Sequence, residues 1–135
     1  MKSEFVILTD PVYNEESNVT VRLAGGSHSG EGRVEVYFAG EWGTVCDRGW
    51  DINAAKVVCN MLGYPVAIHA TSAYFGEGSG PIWLTSVHCR GTESNIASCY
   101  SRFGDYCTGG HSQDAGVVCS SIFKMNILLL HSCIH

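Results

Sequence analysis

The sequence predicts a small α+β domain, a few short strands around one helix, stapled by disulfides. Three observations predict it. Residues 33–38 alternate polar and apolar side chains, residues 53–62 carry an apolar stripe at helical spacing, and six of the seven cysteines fall between positions 46 and 119. At 135 residues the chain has the length of one domain with its own core. Its 16 glycines favour turns and short strands over a helical bundle.

The elements follow in order. Residues 1–18 read as a leader or linker, with Pro11 and the polar run Asn14–Ser17, and they end on the acceptor sequon Asn18-Val19-Thr20, a glycosylation site in an exported chain. From position 19 the domain begins. Val19, Val21 and Leu23 alternate with polar neighbours, and GGSHSGEG then makes a loop. Val34, Val36 and Phe38 share one face of the next strand, and Arg33, Glu35 and Tyr37 share the other, so Arg33 is expected to point outward. Ala39-Gly40-Glu41 predicts a hairpin turn, with Trp42 to Cys46 returning.

In NAAKVVCNML, Ala54, Val57, Val58, Met61 and Leu62 form one helical stripe, which Asn53 is expected to cap and Gly63 to end, with Pro65 beyond. AYFGEGSGP reads as a loop. Ile82-Trp83-Leu84 and Val87 read as a strand, and Thr92 to Cys99 as one helical turn capped by Thr92 or Ser94. Ala115 to Cys119 closes the domain, and residues 121–135 read as a tail that is disordered or foreign to it.

No cysteine lies in a CxxC pair, which excludes a zinc ribbon and a thioredoxin-type redox motif. An even set in one compact stretch predicts a disulfide framework, hence an extracellular or cell-surface setting, with Cys133 left over as a candidate for an intermolecular bond. The rival reading is a cytosolic protein with free thiols. Phe5–Leu8 falls short of the roughly 7–15 apolar residues of a secretory signal. Ile127–Leu130 falls short of the roughly 20 that span a bilayer, so no membrane insertion is expected. The chain reads as part of a longer exported protein, or as one with an incomplete start. A net charge of -5 gives no reason to expect a nucleic-acid partner.

Catalysis finds no support. No GxSxG elbow, HExxH pair or glycine-rich phosphate loop occurs. His111, Ser112 and Asp114 form a local cluster that reads as a polar loop before a strand. Cys99, Cys107, His111 and Cys119 lack the spacing of a structural zinc site. Trp42, Trp50, Tyr64 and Trp83 read as packing residues.

VRLAGG, GRVEVYFAGEWGTVCD, GWD, AAKVVCNMLGY, AYFGEGSGPIWL, VHCRGTES, IASC and QDAGVVC occur in one order across residues 21–119. Together they resemble the scavenger receptor cysteine-rich domain, in its six-cysteine form. The resemblance implies a curved sheet of short strands cradling the helix, and a domain spanning 19–120. It also implies the pairs Cys46–Cys107, Cys59–Cys119 and Cys89–Cys99, among the 15 connectivities that six cysteines allow. Two departures stand out. Phe103 occupies a place where the family has tryptophan, with the spacing to Cys107 one residue short, and the interval before Cys119 is long, which reshapes the loop from Asp105 to His111.

The function implied is extracellular ligand recognition without catalysis, of polyanionic or microbial surfaces or of a protein partner. The alternative is an accessory module of a larger extracellular enzyme, a serine protease or a lysyl-oxidase-like protein. Family members bind calcium through acidic side chains, which carried over position by position are Asp47, Glu93 and the neighbouring Asp51. Arg48 stands where a second aspartate is expected. It removes one carboxylate and adds a cation, a two-unit change that weakens any calcium site. No cofactor is required on this reading. The family's use of charged surfaces implies Arg33, Arg48, Arg90 and Arg102 as candidate ligand-binding residues.

Overall fold

The computed structural model describes residues 18–121. The leader, the tail and Cys133 otherwise lie outside the described residues. Seven strands and one α-helix build the domain: β1 (Thr20–Gly25), β2 (Glu31–Phe38), β3 (Glu41–Val45), α1 (Ile52–Met61), β4 (Val66–Ala70), β5 (Ile82–His88), β6 (Tyr100–Phe103) and β7 (Gly116–Ser120).

The strands form one sheet in the order β4-β7-β2-β3-β5-β6, with β1 on β2. Strand β2 makes this possible by changing partner along its length. Its start pairs with β7 and its end with β3, while β1 runs antiparallel beside Gly32 to Tyr37. The sheet therefore curls. The single parallel pair, β3 with β5, brings chain segments far apart in sequence side by side. Ala39 and Gly40, both at positive φ, make the two-residue hairpin between β2 and β3.

Helix α1 forms where the apolar stripe predicts, but its cap is Asp51, not Asn53. The extended backbone at Asp51 lets its carboxylate accept from the N–H groups of Asn53 and Ala54, two donors the first turn leaves unpaired. The helix ends at Gly63, whose φ of +92° allows its N–H to reach Asn60 O while Tyr64 N–H reaches Cys59 O. The short 3-10 turn Ile96–Ser98 is capped by Asn95, rather than by Thr92 or Ser94, through acceptance from Ala97 N–H.

Ala54, Ala55, Val57 and Val58 pack into the concave side against Val34, Val36, Val45, Val87 and Val117, all fully or almost fully buried. Each buried valine contributes about 1.5 kcal/mol or more. Trp50 closes one end of this core, its indole N–H donating to Gly116 O at 3.0 Å. Three disulfides tie the layers: Cys46–Cys107, Cys59–Cys119 and Cys89–Cys99. The second fixes α1 to β7. The first fixes the loop after β3 to the turn after β6.

Candidate functional site

That first disulfide assembles a surface patch. Cys46 leads into Asp47-Arg48-Gly49, and Cys107 follows the 3-10 turn Gly104–Tyr106. Held together, Arg48 donates to the carbonyl of Tyr106 at 3.3 Å, and the guanidinium of Arg102 on β6 lies over the Tyr106 ring, 5.0 Å from its centroid. Tyr100 shares the face of β6 with Arg102, two residues away, and stacks on His88 of the paired strand β5 at 6.1 Å. His88 touches the loop again. A Cβ at Gly49, whose φ is +76°, would lie 3.1 Å from its ring, so glycine lets the loop close over it.

Contacts link Arg48, Tyr106 and Arg102 in one group and Tyr100, His88 and Gly49 in another, and β6 carries a member of each. All five side chains are exposed. Neither arginine pairs with a carboxylate among the described side chains. Arg102 is also the charged wall of an apolar groove of about 260 Å³ between Phe38, Trp83 and Phe103.

Arg33 is placed differently. Its side chain, 15% exposed, pairs with Glu35 at 2.9 Å and donates to the carbonyl of Gly76 at 3.1 Å. Arg22, directly across from Glu35 on β1, holds the other carboxylate oxygen at 2.8 Å and lies 4.1 Å over Trp42. Around Arg33 the face expected to be solvated is thereby covered and Glu35 is buried, while Tyr37 on the same face is exposed. Arg90 is exposed on the loop after Cys89, away from these partners.

The three acidic residues suggested for calcium are each engaged. Asp47 accepts from Ser72 N–H at 2.6 Å and from the Gln113 amide at 3.4 Å. Asp51 caps α1. Glu93 accepts from the N–H groups of Arg90 and Gly91 at 2.8 and 3.0 Å, and those bonds, led by Arg90, hold its carboxyl below its ordinary range despite partial desolvation. Arg48 turns from them to Tyr106. Among the described residues, the trio of acidic, His or Cys ligand atoms within 4.8 Å of one another is Cys89, Glu93 and Cys99, where both sulfurs are consumed in the disulfide. Asp47 and Asp51 are not members of that trio.

The His111–Asp114 cluster is part of the frame rather than the surface. Asp114 is fully buried, accepting from Gly78 N–H and lying 2.9 Å from His111 Nδ1. Asn18 is exposed at the edge of the domain. No helix among the described residues is long and apolar enough to cross a membrane.

Comparison with known proteins agrees with this architecture. The family model for the scavenger receptor cysteine-rich domain matches residues 24–120. Macrophage scavenger receptor types I and II of Mus musculus is 52% identical over 104 residues, which make up 76% of this chain and 22% of that protein. Lysyl oxidase homolog 2 of Mus musculus is 50% identical over 104 residues, 76% of this chain and 13% of that protein. Among solved structures, the third SRCR domain of murine neurotrypsin superposes with a TM-score of 0.67 at 45% identity, covering 77% of this chain and 98% of that one.

Proposed function

The chain belongs to the scavenger receptor cysteine-rich family, and from that premise we propose that it is an extracellular recognition module that binds polyanionic surfaces without catalysis. The observation that carries the reading is the patch of Arg48, His88, Tyr100, Arg102 and Tyr106. Two exposed guanidiniums, Arg48 at the Tyr106 carbonyl and Arg102 over its ring, suit sulfate, phosphate or carboxylate groups as bidentate donors, and the tyrosine rings add flat apolar surface. Each solvated charge contact contributes modestly, so affinity comes from several contacts along a polymer and falls with salt. Three disulfides support an oxidising, extracellular location.

Calcium is not required on this reading. Asp47, Asp51 and Glu93 are the side chains that would hold the ion, and their carboxylates would share their oxygens between it and the backbone N–H groups they already bind. Calorimetry with millimolar calcium tests this, since a binding heat that disappears in Glu93→Ala would establish a calcium-linked mechanism instead.

Because the chain spans only 22% and 13% of the two curated relatives, a second role fits the same module. It would be the accessory recognition domain of a larger extracellular protein, an enzyme included.

The deciding experiment measures heparin binding to the oxidised protein by surface plasmon resonance. The double variant Arg48→Ala with Arg102→Ala is expected to lose about tenfold or more in affinity, and the wild type to weaken as salt rises. Wild-type protein that binds no polyanion at low salt would overturn the reading and leave a protein partner in its place.

A further inference from the structure

The segment between β4 and β5, residues 71–81, runs along β3 without a strand of its own. Its second half is tied down at a few points. Arg33 holds the carbonyl of Gly76, Asp114 accepts from Gly78 N–H at 2.7 Å, and His111 Nε2 lies 3.0 Å from the carbonyl of Gly80. The last two ties run to one pair, because His111 Nδ1 lies 2.9 and 3.1 Å from the two oxygens of Asp114.

Both ring nitrogens of His111 therefore face oxygens that only accept. A neutral imidazole has one N–H and one lone pair. If Nδ1 keeps its hydrogen toward Asp114, the Nε2 lone pair confronts the Gly80 carbonyl. If Nε2 keeps it, the Nδ1 lone pair confronts a buried carboxylate, which is worse. Thr44 Oγ1, 3.4 Å from Nδ1, is too distant to replace either bond well. Only the imidazolium donates at both ends.

We propose that His111 is a proton-operated latch, which as imidazolium holds residues 78–80 against β3 and on deprotonation releases the Gly80 carbonyl. The charges around it favour the closed form. Asp114 faces it from the approach to β7 and Glu77 from the segment itself. Glu41 of β3 reaches the Gly80 side, its Oε2 lying 3.5 Å from where a Gly80 Cβ would be. Asp47 stands behind Gln113, and Arg33 of β2, the cation that reaches the segment at Gly76, is paired with Glu35. The rest of the turn that carries His111, Gly110–Gln113, has no charged side chain.

Burial works against the charge on His111. Hydrogen bonds to Asp114 and to the Gly80 carbonyl, with the negative charges of Asp114 and Glu77, outweigh it and move the group upward from its ordinary 6.5. A raised value in the folded state means that the latch adds stability in full below 6.5 and loses it as pH rises through the folded value. The segment is thus held in acid and freed on the alkaline side.

Nuclear magnetic resonance on the whole chain tests this through the His111 ring nitrogens and the Gly78 amide, at about pH 6 and about pH 8.5. Both ring nitrogens should carry protons at the lower pH, with a midpoint above 6.5. Protection of the Gly78 amide, corrected for intrinsic exchange, should fall about tenfold at the higher pH. His111→Gln has one rigid amide in place of the ring, and its Gly78 protection should no longer depend on pH. A His111 ring that carries a single proton at the lower pH overturns the latch, as does Gly78 protection that is equal at both. Should His111→Gln not fold, the wild-type titration alone decides.

Discussion

Two pairs of arginines meet two different centres. Arg22 and Arg33 grip Glu35, a buried carboxylate, while Arg48 and Arg102 grip Tyr106, an exposed aromatic residue. The first pair has its charge cancelled where it stands, and one of its members reaches across to the loop at Gly76. The second, exposed at the surface, has no carboxylate partner among the described side chains. What separates them is the cross-strand neighbour. Register places Arg22 opposite Glu35, whereas Arg102 lies opposite Thr85, which offers no carboxylate. An arginine is available for recognition when the residue across the ladder leaves it free, and the number of arginines does not decide the matter.

The largest effect expected comes from cutting the bond that makes the second pair a unit. Cys46→Ala with Cys107→Ala opens a loop with a sequence separation of 61 and should cost about 4 kcal/mol in denaturant unfolding. It should also scatter the polyanion-binding patch, because the loop of Arg48 is no longer fixed to the turn of Tyr106. The Arg22–Glu35–Arg33 group, built on paired strands, should survive. If heparin binding persists in protein that remains folded, the patch does not depend on the staple.

Next comes Glu35→Ala, which leaves two guanidiniums around a vacated, buried site and should cost about 3 kcal/mol by the same measurement. Heparin affinity should not fall, since the patch is untouched. Arg48→Ala with Arg102→Ala should behave in the opposite way, losing affinity while stability stays within about 0.5 kcal/mol. An equal stability loss in both variants would erase the distinction between the two pairs.

Much of this was legible in the sequence, and the failures have physical causes. Period two placed β2, and the helical stripe placed α1, because each depends on neighbours along the chain. The cap of α1 moved to Asp51 because Asn53 lies inside the first turn, while Asp51 precedes it in extended backbone. Arg33 was expected outside because alternation reports only which residues share a face. It does not report that Arg22 from β1 and the loop at Phe75–Gly76 cover that face. His88, Tyr100 and Tyr106 were not picked out at all. They meet through the β5–β6 register and a disulfide, and no local pattern announces such a meeting. Strand β4 also escaped notice, since its half-exposed VAIHA lacks clean alternation.

The smallest effect belongs to Glu93, where the acidic side of the comparison can be sharpened. Its carboxylate is acceptor to the backbone of Arg90 and Gly91, holding the turn after Cys89 much as Asp51 holds the first turn of α1. A carboxyl lowered in the folded state adds stability above its ordinary value of 4.5 and loses it as pH falls through the folded value. Glu93→Gln should therefore flatten the acid limb of the stability curve slightly and change nothing near neutrality beyond a small constant offset. Unfolding midpoints followed from about pH 6 to about pH 3 measure this. A larger change that appears only with calcium present would mean that Glu93 serves an ion, and the acids would then join the arginines as recognition residues.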